Sequence, residues 1–119
     1  MPASGSIPMA PPRPWAYPLT ATPSNPVART AAVDQLGSVR FRDYCSFCHG
    51  LGGKGDGPVG EVYAPRPRDL TDAHARAMSD GDIYMRITNG FSTMPSFRKK
   101  LSPDERWGII WYVRSLQGR

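Results

Sequence analysis

The sequence predicts a small all-α domain, because three segments carry helical patterns and none alternates polar and apolar residues as a strand would. The first pattern covers Ala31 to Tyr44, where one apolar stripe recurs at helical spacing. The second covers Asp80 to Thr88 and stops at the turn signal Asn89-Gly90. The third follows Ser102 and ends at Gly118, and no internal repeat accompanies the three.

The last helix has the clearest start signal in the chain. Ser102 stands at the N-cap position, Pro103 at the first helical position and Glu105 three residues after the cap. In a capping box, the serine side chain accepts a hydrogen bond from the glutamate amide, and the glutamate side chain accepts one from the serine amide. These residues predict such a box. Ser79 and Asp82 are the corresponding capping pair for the middle helix.

Composition divides the chain at residue 30. Eight of the 13 prolines fall within residues 1–30, which predicts a Pro-rich arm that is extended or disordered unless a partner binds it. Its Trp15, Tyr17 and Leu19 are spaced by two, as in polyproline II. Residues 31–119 form the predicted compact domain, whose size makes an apolar core marginal. The only two cysteines are too close in sequence for a useful disulfide loop, so we expect a cofactor to complete the core.

The charge of the chain excludes some classes of partner. A net charge of +5 is too mild for a dedicated nucleic-acid binder, but it suits weak docking on an acidic partner. No run of 18 apolar residues exists, which excludes a membrane span within these residues. The arm has no apolar segment of the kind a secretion signal needs. We therefore expect membrane association only through partner subunits or through a lost N-terminal anchor.

The string Cys45-Ser46-Phe47-Cys48-His49 indicates the chemistry of the chain. Two thiols on one helical turn reach the two vinyl groups of one haem, and the adjacent histidine then lies under the porphyrin as an iron ligand. A thioredoxin-like redox pair would need a βαβ context and gives His49 no role. A zinc site would need a second ligand pair, and only His74 remains. The string therefore predicts one covalently attached haem c.

Met94 is the best candidate for the second axial ligand. It lies in the irregular segment Gly90-Phe91-Ser92-Thr93-Met94-Pro95, where the proline stiffens a backbone that can approach a flat cofactor. Met85 falls within a helix and is better explained by packing, and Met78 is better explained as core or surface filler. His74, isolated in a polar stretch, is expected to face solvent.

A His49/Met94 pair of ligands favours electron transfer, because a thioether stabilises the reduced iron and raises the reduction potential. We therefore expect a one-electron carrier without catalytic residues, as a free protein or as a subunit of an oxidoreductase complex. The alternative is a haem enzyme of the peroxidase type or a small-ligand sensor, either of which needs a labile sixth position and polar distal groups. No distal histidine is evident, and Arg98 follows the Met94 segment without a partner.

With these motifs, the chain from Val33 to Gln117 resembles a class I c-type cytochrome. The resemblance implies three to four helices around one covalently bound haem, with crossed N- and C-terminal helices. In that family a glycine and an aromatic residue four positions apart lie at the crossing, and Gly37 and Phe41 fit this spacing. A glycine that otherwise costs about 0.5–1 kcal/mol inside a helix is thereby explained. The partner positions would be Ile109 and Tyr112.

The resemblance also implies which residues surround the haem. A proline carbonyl accepts a hydrogen bond from the ligating histidine in this family, and Pro67 is the best match, with Pro65 and Pro58 as alternatives. Leu70 would contact the haem. Arg68 is a candidate partner for a haem propionate, and its alternative role is that of a solvated surface arginine.

Four further features resemble cytochrome c subunits of membrane respiratory complexes, and are most similar to the monohaem subunit of alternative complex III. They are Gly55-Asp56-Gly57-Pro58, Pro67-Arg68-Asp69-Leu70-Thr71, Ser79-Asp80-Gly81-Asp82-Ile83-Tyr84, and Arg106-Trp107 with the ending Leu116-Gln117. The resemblance implies redox partners such as a quinol-oxidising complex, a terminal oxidase or a soluble cytochrome. Because the thioether bonds of such proteins form outside the bacterial cytoplasm, it also implies the periplasm or the outer face of the cytoplasmic membrane.

Overall fold

The structure, a computed structural model of the chain, describes residues 24–119. Its elements are five α-helices, in chain order α1 (Ala31–Tyr44), α2 (Ser46–His49), α3 (Ala73–Ala77), α4 (Asp80–Asn89) and α5 (Pro103–Leu116). A short 3₁₀ turn covers Gly60–Val62, and within residues 24–119 no strand is present beyond one isolated bridge. The predicted all-α fold is confirmed, and α4 extends one residue past its predicted end.

The predicted helix starts are confirmed by their capping hydrogen bonds. At α5 the Glu105 amide donates to Ser102 Oγ at 3.2 Å, and the Ser102 amide donates to Glu105 Oε1 at 2.7 Å, which completes the capping box. At α4 the Asp82 amide donates to Ser79 Oγ at 3.1 Å. Each bond satisfies an amide that the first helical turn leaves without a carbonyl partner.

Helices α1 and α5 cross at Gly37. A Cβ atom at this position would lie 2.0 Å from the Gly108 carbonyl oxygen, so only glycine permits the observed approach. The predicted partner, Ile109, is off by one residue, since its backbone nitrogen is farther away at 3.1 Å. One turn along, the rings of Phe41 and Tyr112 pack with their centroids 5.2 Å apart, as predicted.

The apolar core connects the crossing helices with α4 and the segment that follows it. Tyr84 of α4 stacks on Trp107 of α5 with ring centroids 4.0 Å apart. The largest fully buried side chains belong to Trp107, Phe41, Leu101, Ile109, Ile110, Val27 and Val33. In residues 24–119 no helix has the length and apolar character needed to cross a membrane.

The last residues of the predicted arm lie on the domain. Val27 is only 1% exposed, and its carbonyl oxygen accepts from Trp111 Nε1 at 2.8 Å. The Asn25 side-chain amide donates to the Trp107 carbonyl at 2.8 Å. We call residues 24–30 the strap. The spaced apolar residues Trp15, Tyr17 and Leu19 lie outside the described residues.

A buried ion pair joins α4, α5 and the strap. Arg114 Nη2 lies 2.7 Å from Asp80 Oδ1, and the two side chains are only 4% and 13% exposed. The same guanidinium donates to the Met78 carbonyl at 2.6 Å and to Gln117 Oε1 at 3.0 Å. The Asn25 amide donates to the second oxygen of the Asp80 carboxylate at 2.7 Å. These bonds fix the end of α3 relative to α4 and α5.

Candidate cofactor site

One cavity of about 730 Å³ gathers the residues that the sequence singled out. It lies between α1, α2, α4 and α5, and its volume falls in the range of cofactor sites. All seven predicted site residues line it: Cys45, Cys48, His49, Pro67, Arg68, Leu70 and Met94. The first three residues are far along the chain from the other four, so it is the fold that brings all seven together.

The first three of these residues form a single helical turn. The His49 amide donates to the Cys45 carbonyl at 2.9 Å, and the Cys48 amide donates to the same carbonyl at 3.2 Å. Cys45 is 6% exposed, Cys48 is half-buried, and both carry free thiols. The turn thus presents two thiols and an imidazole to one cavity.

Burial determines the protonation of the first thiol. It raises the pKa of Cys45 to about 12, and the neighbouring Cys48 adds to the effect. Redox-active C-x-x-C pairs instead depend on a thiol whose pKa is lowered, since the thiolate is the attacking species. The environment of Cys45 therefore disfavours disulfide exchange and suits a neutral sulfur, such as a thioether, against the apolar wall.

A backbone carbonyl orients the imidazole. His49 Nδ1 lies 2.9 Å from the carbonyl oxygen of Arg68, not from that of Pro67, so the predicted acceptor is wrong by one residue. Since a carbonyl only accepts, Nδ1 carries the proton, and Nε2 is left as the donor atom for a metal. Burial lowers the pKa of His49 below its usual 6.5, although the Arg68 contact opposes this, and a neutral imidazole is favoured.

A glycine-rich loop sets the position of that carbonyl. The Gly55 amide donates to the His49 carbonyl at 2.8 Å, and the Leu70 amide donates to the Gly53 carbonyl at 2.6 Å. Gly55 has a φ of +82°, and a Cβ atom there would lie 2.6 Å from the Pro67 oxygen. The loop therefore needs glycine both for its backbone conformation and for close contact with the Pro67–Arg68 backbone.

Met94 lies on a tight turn at the cavity wall. The Phe91 and Met94 backbones exchange two hydrogen bonds, of 3.1 and 2.8 Å, which hold the turn closed. Thr93 Oγ1 donates to the Pro65 carbonyl at 3.3 Å and links the turn to the loop that precedes Pro67. Met94 itself is half-buried, so its thioether belongs to the cavity wall.

The competing ligands occupy different surroundings. Met85 packs against the core and His74 is exposed on α3, as predicted for both. Met78, predicted as core or surface filler, lines the same cavity as Met94. Its position follows from the docking of α3 through Arg114, which no local pattern in the sequence reveals.

Two arginines of the cavity wall have different partners. Arg68 Nη1 forms an ion pair with Asp72 at 3.0 Å, so its positive charge is already balanced. Arg86, which was not predicted, lines the cavity from α4 and stacks its guanidinium 3.8 Å from the Phe91 ring centroid. Its spacing of three residues from Ile83, another lining residue, is the only signal that the sequence offered.

The donor set fits a covalently attached haem better than a bare metal ion. Two thiols on one turn, an oriented neutral imidazole and a thioether share one largely apolar cavity. In the described part of the chain, His, Cys, Asp and Glu side chains form no group of three that could hold a metal. Fold and site together define a c-type cytochrome domain.

Comparison with known proteins agrees with this class. The family model described as cytochrome C oxidase, cbb3-type, subunit III matches residues 32–113. The chain belongs to this family of cytochrome c domains.

Curated relatives differ from the chain in length. Cytochrome c6 of Gloeothece citriformis is 37% identical over 78 residues, which cover 65% of this chain and 66% of that protein. The cytochrome bc1 complex cytochrome c subunit of Corynebacterium diphtheriae is 33% identical over 82 residues, or 68% of this chain and 26% of that protein. The chain thus spans just under two thirds of the first relative and about a quarter of the second.

Solved structures share the fold. A reducing HAO-like protein complex of Kuenenia stuttgartiensis contains a chain that is 31% identical, with a TM-score of 0.63 over 81% of this chain and 47% of that one. The KustC0563 c-type cytochrome is 30% identical, with a TM-score of 0.60 over 68% of this chain and 96% of that one. The cofactor is covalently bound haem c.

Proposed function

We propose that this domain is a one-electron relay whose haem c is tethered by Cys45 and Cys48 and ligated by His49 and Met94. The observation that carries the proposal is the convergence of all four side chains on one cavity. When bound, the haem supplies an iron that accepts and releases one electron. His49 presents Nε2, the Arg68 carbonyl holds the ring, and the Met94 turn supplies a soft sulfur.

The edge of the cavity supports a relay function. Four of its lining side chains are large, apolar or aromatic and at least 36% exposed: Tyr44, Phe47, Val59 and Phe91. Such exposed apolar groups around a cofactor suit brief docking of a redox partner. Lys100 lines the same cavity and adds positive charge beside this surface, as an acidic partner would require.

The partner and location belong to the same proposal. The relatives include a cytochrome c6 and subunits of a bc1 complex and an HAO-like complex, which supports redox proteins as partners. We favour a quinol-oxidising complex, of which alternative complex III is one kind, or a terminal oxidase, in the periplasm or at the outer face of the cytoplasmic membrane. The Pro-rich arm, residues 1–30, would precede a haem domain of residues 31–119, with the strap packed on that domain.

Visible spectra of the oxidised holoprotein test the ligand assignment. Iron–thioether ligation gives a weak charge-transfer band near the red end, and we expect M94A to lose this band, to lower the reduction potential and to bind added imidazole. M78A is the matched control, since Met78 lines the same cavity, and M85A controls for packing alone. A band that survives in M94A and disappears in M78A would transfer the ligand role to Met78.

A further inference from the structure

Arg86 differs from the other cations of the cavity wall. Four basic side chains line the cavity, namely Arg66, Arg68, Arg86 and Lys100. Arg66 and Lys100 are exposed to water, and Arg68 is paired with Asp72. Arg86 is half-buried, and within residues 24–119 it forms no ion pair with a carboxylate. Its charge is therefore partly shielded from water and has no carboxylate partner among residues 24–119.

The acidic residues of the cavity are already engaged elsewhere. Asp72 pairs with Arg68, and the Asp69 carboxylate accepts from both the amide and the hydroxyl of Thr71 at 2.8 and 2.6 Å. Asp43 is exposed, and its cation contacts are with Arg42 at 3.9 Å and with Arg40 at 4.0 Å. None of these carboxylates neutralises Arg86.

The Phe91 ring fixes the guanidinium at the cavity wall. Its centroid lies 3.8 Å from the central carbon of the Arg86 guanidinium, a close cation–π contact. Phe91 is also one end of the two-bond turn that carries Met94. The positive charge is thereby held next to the segment that supplies the proposed sulfur ligand.

We infer that Arg86, held by Phe91, raises the reduction potential of the haem. The inference rests on the proposed function, because it requires a redox-active haem in this cavity. Reduction adds one negative charge to the cofactor, and a nearby cation in a partly shielded site favours the state with that added charge. Phe91 acts as a positioning residue, since its ring keeps the cation in place.

The test is a reduction titration of the holoprotein, followed by visible absorbance, at low and at high salt. We expect R86Q to shift the equilibrium toward the oxidised form by about tenfold, which is about 59 mV for one electron. R86K keeps the charge and should recover most of this loss. F91L keeps the Arg86 charge but removes the ring that holds the guanidinium, so we expect a smaller shift toward the oxidised form.

R42Q is the matched control, because this substitution removes the same charge from an exposed site outside the cavity. The effect of R42Q should be under about twofold at low salt and vanish at high salt, whereas that of R86Q should persist, since salt screens partly buried charges less than exposed ones. Equal shifts in R86Q and R42Q, or a loss in R86K as large as in R86Q, would overturn the inference.

Two further measurements keep the outcomes separate. Circular dichroism and the ratio of haem to protein absorbance check that each variant folds and holds its cofactor, and R86M is a second neutral variant should R86Q fail this check. If the wild-type protein shows no reversible one-electron wave, the proposed function fails. If it does and R86Q has the same potential, only the role of Arg86 fails.

Discussion

Replacing Gly37 with alanine tests the helix crossing that supports the whole domain. The added Cβ would lie 2.0 Å from the Gly108 oxygen and 2.5 Å from its carbonyl carbon. Real Cβ contacts essentially never fall below 3.0 Å, so α1 and α5 must separate by at least 1.0 Å, the difference between these distances. The atoms in the way belong to the backbone of α5, which cannot turn aside as a side chain would.

The cost of this separation exceeds what alanine gains. Overpacking a core typically costs about 1–3 kcal/mol, and a gap of about 1 Å also weakens contacts along the crossing, including that of Phe41 with Tyr112. Alanine recovers up to about 1 kcal/mol of helix propensity. We expect G37A to lower the free energy of unfolding by roughly 2–4 kcal/mol, a large share of the 5–15 kcal/mol typical of a domain.

Denaturant unfolding followed by circular dichroism measures this loss, and G108A is its control. A Cβ at Gly108 would meet its nearest neighbours, the Gly37 nitrogen and the Val33 oxygen, at an ordinary 3.5 Å. The same change on the opposite helix should therefore leave stability unchanged or raise it by up to about 1 kcal/mol. A G37A protein as stable as the wild type, or a G108A protein less stable than G37A, would refute the crossing geometry.

Two other perturbations address charges. Burial raises the pKa of Glu105, but hydrogen bonds from Ser102 and Arg40 outweigh it and hold the pKa below its usual 4.5. This stability is present above pH 4.5 and is lost as the pH falls through the folded-state value, so E105Q should flatten acid unfolding curves in that range. At the buried pair of Asp80 and Arg114, R114L leaves a carboxylate buried without its cation, and we expect a loss of about 3–5 kcal/mol in thermal or denaturant unfolding.

Exposed charges of the same kinds serve as controls for these two experiments. E61Q removes a glutamate that is exposed on the 3₁₀ turn and should leave the acid unfolding curve nearly unchanged. D72N breaks an exposed ion pair with Arg68, which is worth at most about 1 kcal/mol. An E105Q acid unfolding curve as steep as that of the wild type would contradict the first prediction. Equal losses of unfolding free energy in R114L and D72N would contradict the second.

Local signals predicted most of the fold. The capping box at Ser102 and the capping pair at Ser79 depend on residues three apart, so the sequence contains the whole interaction. Gly37 lowers the stability of a helix unless another backbone packs against it, and the resemblance to a known family indicated that the C-terminal helix does so. Its partner was misplaced by one residue because the rotation of α5 depends on packing that the sequence does not encode locally.

The site was predictable where its chemistry is contiguous in sequence. The Cys45–His49 turn needed only a motif, and Met94 needed a second motif of methionine followed by proline. The carbonyl of Arg68 reaches His49 through a glycine loop whose path depends on close backbone contacts, so the neighbouring Pro67 was chosen in error. Met78 and Arg86 enter the cavity only through the docking of α3 and α4, and no local pattern identified them.

Core and cofactor site are built from the same side chains, which links folding to function. Phe41, Ile87, Phe97, Ile109 and Val113 belong to the buried core and also line the cavity. A haem in this cavity would therefore cover apolar surface of the core. The helix crossing also bears on the Cys45–His49 turn, because that turn directly follows α1. The cofactor of this cytochrome domain would thus form part of its interior.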